Sequence, residues 1–357
     1  MKLVRSFGRK LKPFNANASG LREDFSLTDY SKRLGTRCKV EETRLFGFLD
    51  SLGNRIMTDS PDCSFDRLTK DLALVTTIDF FYPIVNDPYE QGRIGAANVL
   101  SNLYASGVTE MRNGLMVLAV STQMDSDEQQ IITKAMIKGY ADTFKEAGAE
   151  VTGGQTVFND SPIIGGAAIG VARGQTPYTP RNAKPGDVLV LSKPLGTHII
   201  ANAYENKNQI GKTGLNETEL SDLYLRATEY MGRLNRTASL AMLEHGATSS
   251  TDIAGFGLLS HAQNLASIQI ENVDFRIDSL PSFQGVNELG DLIEGLRTGS
   301  EFSSETSGGL LISLPETTVE NFIQTLQEQG ENAWVVGRVE PGKRQASLSS
   351  EIELIEV

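Results

Sequence analysis

Cysteine is almost missing: Cys38 and Cys63 are the only two among 357 residues. Two thiols cannot build the disulfide framework of a small secreted scaffold, so a reducing, cytoplasmic setting is expected. Histidine is nearly as sparse. His198, His245 and His261 show no metal-ligand spacing with either cysteine and read as structural. No apolar run approaches the roughly 18 to 20 residues that span a bilayer. Positive charge is short as well. There are 33 Lys and Arg against 45 Asp and Glu, a formal charge of -12, which argues against a surface built to neutralise nucleic-acid phosphates. The deficit reverses only at the start, where residues 1–22 hold no acid and several Lys and Arg. That composition suits a transit peptide or a basic tail; a flexible tail over 1–35 is the reading adopted.

What is present is a large apolar content, 39% of the chain, more than one core usually supports, so two domains are expected. "LALVTTIDFFYPIV" is β-branched and aromatic and predicts a buried strand ended by Pro83 and Pro88. In "PYEQGRIGAANVLSNLYASG", Ile94, Ala97, Leu100 and Tyr104 recur at helical spacing, with Pro88 suited to the first turn and Gly107 to the position past the end. "GLMVLAVST" predicts a strand. Ser126 with Gln129 predicts a capping box for a helix that ends at Gly148 and places Ile132, Ala135, Met136, Gly139 and Phe144 on one face. "PIIGGAAIGVA" predicts a strand. The polar, Pro-rich "RGQTPYTPRNAKPGD" marks a domain boundary, giving an N-terminal domain over 36–176 and a C-terminal domain over 177–357. The second half repeats the mixture, with a long helical region around "YLRATEYMGRLNRTASLAMLEHG", strands at "VDFRID", "GLLISLP" and "NAWVVGRVE", and a helix in "TTVENFIQTLQEQG". The fold class is α/β with mixed sheets.

Glycines and acids dominate the candidates for chemistry. "EVTGGQTVFN" sits between a helix and a strand, where Gly153 and Gly154 would bend the chain and offer N–H groups to phosphate oxygens; a plain tight turn is the alternative. Asp62, Asp79, Asn102 and Asp252 fall where strands end or helices begin. Oxygen ligands in such places hold magnesium against nucleotide phosphates, and single ones also serve as caps. "SSETSGGLLIS" adds the paired Gly308 and Gly309, a polar loop or a turn into an edge strand.

Taken in order, "GTRCKV", "TTIDFFYPIVNDPYEQGRIGAANVLSNLYASGVTE", "VTGGQTVFN", "PGDVLVLSKPLGT", "GRLNRTAS", "TDIAGFGLLSHAQNLA" and "ETSGGLLIS" resemble selenophosphate synthetase (selenide, water dikinase), the eukaryotic type especially, from about Leu27 to the C-terminus. The resemblance implies a two-domain architecture of the aminoimidazole ribonucleotide synthetase type and a homodimer joined through N-terminal sheets. It implies ATP and selenide as substrates, Mg²⁺ as the metal, and selenophosphate, AMP and phosphate as products. By motif, Lys39 is similar to the family's essential lysine on a mobile segment. Asp62, Asp79, Gly153, Gly154, Gln155 and Thr156 fall with Lys39 at the nucleotide, and Asp62, Asn102 and Asp252 at the metal. Two positions depart from the pattern. Thr36 stands where active members carry cysteine or selenocysteine, which makes Cys38 similar to the family's second, less critical thiol, and Asn102 stands where the motif has aspartate. A hydroxyl has a far higher pKa than a thiol, and an amide brings no charge to a metal. The chain thus resembles the threonine-type paralogue. A working dikinase is the first expectation, and an ATP-binding or ATP-hydrolysing paralogue with a regulatory role is the alternative.

Overall fold

Pro88 cannot donate a backbone hydrogen bond, so it serves best at the start of a helix, where that donor has no partner in any case. It opens α1 (Pro88–Ala105), capped by the Asp87 side chain on the N–H groups of Tyr89 and Glu90. In the computed structural model, which describes residues 11–31, 33–40, 63–174, 180–206, 215–286, 289–290 and 304–357, α1 is buried along almost its whole length. A helix apolar on nearly every side needs neighbours on every side.

On one side is a five-stranded sheet in the order β1-β2-β5-β3-β4. It is formed by β1 (Ser64–Thr69), β2 (Leu72–Phe81), β3 (Glu110–Ser121), β4 (Glu150–Asn159) and β5 (Ile163–Arg173). All pairs are antiparallel except β3 with β4. The period of two in β2 turns Val75, Thr77, Asp79 and Phe81 toward α1 and leaves Ile78 and Phe80 63% and 49% exposed on the other face. The second helix, α2 (Ser126–Glu146), packs against α1. Its capping box lies one residue earlier than the sequence suggests. Asp125, not Ser126, accepts from the N–H of Glu128, and Glu128 rather than Gln129 reaches back, because a carboxylate accepts these donors more strongly than a hydroxyl.

On the other side is a six-stranded sheet in the order β11-β8-β10-β6-β9-β7. Its strands are β6 (Asp187–Leu191), β7 (Ser249–Asp252), β8 (Val273–Ser282), β9 (Leu310–Pro315), β10 (Trp334–Pro341) and β11 (Ala346–Glu356). Around it lie α3 (Thr197–Glu205), α4 (Glu217–Gly232), α5 (Arg236–Glu244), α6 (Gly257–Ser267) and α7 (Val319–Glu328). One cluster of buried side chains joins Phe81, Ile84, Val85 and Ile94 from the first half to Ile199, Leu223 and Phe283 from the second.

Four expectations change. The long helical region around residues 224–246 is divided between two helices, α4 and α5, parted where Arg233 turns extended at φ -79, ψ 133 and Asn235 spends its side chain on other elements. "EVTGGQTVFN" is strand β4 rather than a glycine turn. Gly154 is there for close approach, since a Cβ would collide with the carbonyl of Met116 on β3. "GLLISLP" is the interior strand β9, paired to β6 and β7, rather than an edge. Residues 11–31, expected in a flexible tail, are held by burial of Leu21, Phe25 and Leu27 in the first core and by the Asn86 side chain, which accepts from Thr28 N at 3.1 Å.

Where α1 crosses α2, backbone meets backbone. A Cβ on Gly92 would strike the carbonyl of Met136, and one on Gly139 that of Tyr89. Overpacking of this kind costs about 1–3 kcal/mol. Gly139→Ala should therefore lower the urea midpoint of unfolding, while Lys134→Ala on the exposed side of α2 leaves it within about 0.5 kcal/mol. Equal midpoints for both variants and the parent would show that the crossing has room for a methyl group.

Candidate functional site

Asn98, Ser101 and Asn102 stand at i, i+3 and i+4 on α1 and so share one face. All three are buried, and buried polar groups need partners. Asn98 Nδ2 donates to Asp79 Oδ2 at 2.8 Å. Ser101 Oγ accepts from Asn235 Nδ2 at 2.9 Å. The Asn102 amide oxygen accepts from Thr77 Oγ1 at 2.8 Å while its nitrogen faces Asp252 Oδ1 and Oδ2 at 3.1 and 3.3 Å. Thus Thr77 and Asp79 from β2, the stripe of α1 and Asp252 at the end of β7 meet in one place, and Asp252 is only 1% exposed.

Residues 33–40 form a strap across this meeting point. Lys39 Nζ pairs with Asp79 Oδ2 at 2.8 Å and lies 5.9 Å from the centroid of the Phe256 ring. Gly35–Cys38 is a single 3-10 turn, closed by the N–H of Lys39 on the carbonyl of Thr36. Thr36, expected on a mobile segment, is fully buried, and its hydroxyl donates to the carbonyl of Glu305 at 2.6 Å. Burial pushes the Cys38 thiol up, the wrong direction for a nucleophile.

Several buried charges that no motif singled out surround the strap. Lys193 donates from Nζ to the carbonyls of Arg233 and Ser307 at 2.7 and 3.0 Å, and burial brings its pKa down to about 7. Glu305 accepts from the N–H groups of Gly196 and Thr197 and from the Thr197 hydroxyl, at the start of α3. Burial raises its carboxyl to about 7 against the pull of those donors. His198 and His261 are kept neutral by burial, with pKa values near 3.

Among the described residues no three His, Cys, Asp or Glu side chains cluster as a closed metal cage. Magnesium in nucleotide sites takes one or two carboxylates, waters and the substrate's phosphates, all hard oxygens. Asp79 and Asp252 fit that demand. Asn102 fits it too, because the Thr77 hydroxyl serves either amide atom, so the turned-over side chain offers oxygen beside Asp252. Asp62 lies outside the described residues. Gly153, Gly154, Gln155 and Thr156 are not brought to the cluster within this chain. They sit on edge strand β4, three strands from β2, a separation of about 14 Å.

The N-terminal domain family of AIR synthase related proteins matches residues 60–172, and the C-terminal domain family matches 184–348. Among solved structures, thiamine monophosphate kinase from Aquifex aeolicus superposes with a TM-score of 0.62 at 17% identity, over 88% of this chain and 99% of that one. Hydrogenase maturation protein HypE in complex with ATP gives 0.58 at 19% identity, over 91% and 94%. These likenesses establish the AIR synthase type of fold. Among the described residues no helix is long and apolar enough to cross a membrane. Sequence relatives are nearer. Selenide, water dikinase of Trypanosoma brucei brucei is 42% identical over 98% of this chain and 94% of its own length. That of Dictyostelium discoideum is 40% identical over 88% and 87%, and human selenide, water dikinase 2 is 38% identical over 99% and 89%. Identity at this level along nearly the whole chain, on a fold that gathers Lys39, Asp79, Asn102 and Asp252, means that the chain belongs to the selenide, water dikinase family.

Proposed function

We propose that the protein uses ATP and Mg²⁺ to phosphorylate selenide, giving selenophosphate, AMP and phosphate, and that it does so in the cytoplasm. The observation that carries this reading is the Lys39–Asp79 ion pair, bridged by Asn98 to the helix whose Asn102 meets Asp252, in a chain of this family. In phosphoryl transfer the protein contributes positioning and charge stabilisation. Lys39 supplies the positive charge near the transferring group. Asp79, Asp252 and the oxygen of Asn102 would hold magnesium, which neutralises phosphate charge when bound, and Asp62 is given to the same site. Burial of the cluster lowers the local dielectric and strengthens each of these interactions.

Gly153, Gly154, Gln155 and Thr156 enter as nucleotide ligands in a homodimer, where a second copy lays its β4 against the site of the first. In support, the outer face of the five-stranded sheet presents Ile78, Phe80 and Leu115, while Val157 and the 72% exposed Phe158 stand on its edge strand. An apolar array of that kind marks an interaction surface.

A second reading, ATP turnover with weak selenide use and a regulatory role, is favoured by one observation. Thr36 has no thiol, and its hydroxyl hydrogen is committed to a backbone carbonyl. The assay that separates the two is anaerobic incubation with ATP, Mg²⁺ and selenide, followed by phosphorus NMR of AMP and selenophosphate.

Three outcomes are expected. Lys39→Ala should lower kcat/KM for ATP by about tenfold or more, and unchanged turnover would remove Lys39 from the site. In magnesium titrations, Asn102→Asp should reduce the concentration for half-maximal ATP turnover and Asp252→Asn should raise it, since each charge added or removed changes affinity for a hard cation. Superimposable curves for the three proteins would mean that neither is a ligand. Finally, Thr36→Cys should raise selenide-dependent AMP formation by about severalfold, because a thiol, even where burial holds its pKa up, ionises far more readily than a hydroxyl and offers selenium a soft sulfur. Strong selenophosphate synthesis by the parent chain that Thr36→Ala leaves unaltered would show that this position is no obstacle.

A further inference from the structure

We propose that the turn Glu305–Gly309 is the seat that fixes the Lys39 strap, with Thr306 as the positioning residue that holds Thr36. The inference rests on reading Lys39 as the site lysine and adds the element that places it.

The seat is anchored from every direction. The Glu305 carboxylate is tied to the first turn of α3 through Gly196 and Thr197. The N–H of Ser307 donates to Asn98 Oδ1 at 2.9 Å, which binds the seat to the side chain that also holds Asp79. Lys193 donates to the Ser307 carbonyl, and Asn235 donates to the Gly308 carbonyl at 2.9 Å. Ser307 has φ +50, left-handed backbone that a non-glycine residue keeps only where its surroundings over-determine it. The turn is therefore a rigid template, and it contacts both the strap and α1.

Thr36 docks on that template through a closed chain of hydrogen bonds. Thr306 Oγ1 accepts from the N–H of Thr36 at 3.2 Å and lies 2.7 Å from His198 Nε2 and 3.2 Å from Thr36 Oγ1. One assignment of protons satisfies all of these atoms. His198 Nε2–H donates to Thr306, the Thr306 hydroxyl donates to Thr36 Oγ1, and the Thr36 hydroxyl donates to the Glu305 carbonyl. The neutral ring that this requires is the one burial enforces. Within this chain of bonds the His198 Nδ1 lone pair is left without a partner, and in the seat itself so is the Ser307 hydroxyl.

Shape reinforces the bonds. Gly35 sits at φ +49, where a Cβ would run into Thr306 Oγ1, and a Cβ on Gly255 would come within 2.6 Å of the Thr36 carbonyl oxygen. That oxygen accepts from the N–H of Lys39, so the seating of Thr36 passes directly to the residue that meets Asp79. Two absent side chains make room for the strap, and one hydroxyl fastens it.

Hydrogen–deuterium exchange of the strap amides in the full-length protein tests this, together with ATP turnover. Thr306→Val keeps the volume and removes the hydroxyl; it should speed exchange of the amides of Thr36 and Lys39 by about tenfold or more and lower ATP turnover by a similar factor. Thr306→Ser, which restores the hydroxyl, should stay within about twofold of the parent in both measurements. Gly255→Ala removes no bond but blocks the seat, and should speed the same amides. Thr36→Val, altered only on the strap, gives the third route should a change in the C-terminal core prevent folding. Strap amides that exchange at the parental rate in folded Thr306→Val and Gly255→Ala would overturn the proposal. Exchange reads the strap whether or not the parent turns over ATP, so the seat and the proposed activity fail separately.

Discussion

The site depends on the burial of α1. A helix covered on one face hides its polar residues by turning them to water, but α1 is covered on nearly all faces and has no such outlet. Each polar side chain it carries must find a partner in another element or leave an unpaired group inside, at about 1–3 kcal/mol apiece. Asn98, Ser101 and Asn102 meet that demand by reaching Asp79, Asn235, Thr77 and Asp252. The constraint that stabilises the helix therefore also draws together the groups that handle phosphate and metal. Packing and chemistry meet on the same three side chains.

Legibility of the fold followed local periodicity. The alternation in residues 72–81 and the helical spacing from Ile94 to Tyr104 are local patterns, and β2 and α1 were predicted from them. Where long-range partners decide, the pattern misled. Arg233 to Asn235 read as mid-helix, yet Asn235 is claimed by Ser101 and Gly308 from other elements, which no local rule registers. Gly153 and Gly154 read as a turn because glycine pairs usually are one; here strand pairing with β3 overrides the preference. Leu21, Phe25 and Leu27 lay in a stretch whose basic start suggested disorder, and burial overrode that too.

The site was legible in the residues its motifs carry and illegible in the groups that hold them in place. Lys39, Asp79 and Asp252 were singled out by motif and are gathered with Asn102. Asn98 was missed, although its place one turn before Asn102 in an apolar helix was a usable signal, because an amide with no water to face is there for a partner. Thr306, Glu305 and His198 carried no such signal. A threonine in a polar loop looks like any other, and its importance comes from a contact with a residue 270 positions away. "ETSGG" was flagged for its glycines, while the side chains before them do the anchoring.

The shared apolar cluster has a consequence for how the chain comes to be folded. Phe81, Ile84, Val85 and Ile94 share one buried cluster with side chains from Ile199 onward, so a ribosome that has released the first half has made a sheet-and-helix unit with part of its apolar flank uncovered. The two halves are separate in topology but share this one cluster, which is completed only when the second half is translated. Synthesis from the N-terminus then leaves an interval in which that flank is exposed, and an isolated first half should be sticky in solution for the same reason that the intact protein holds its halves so firmly.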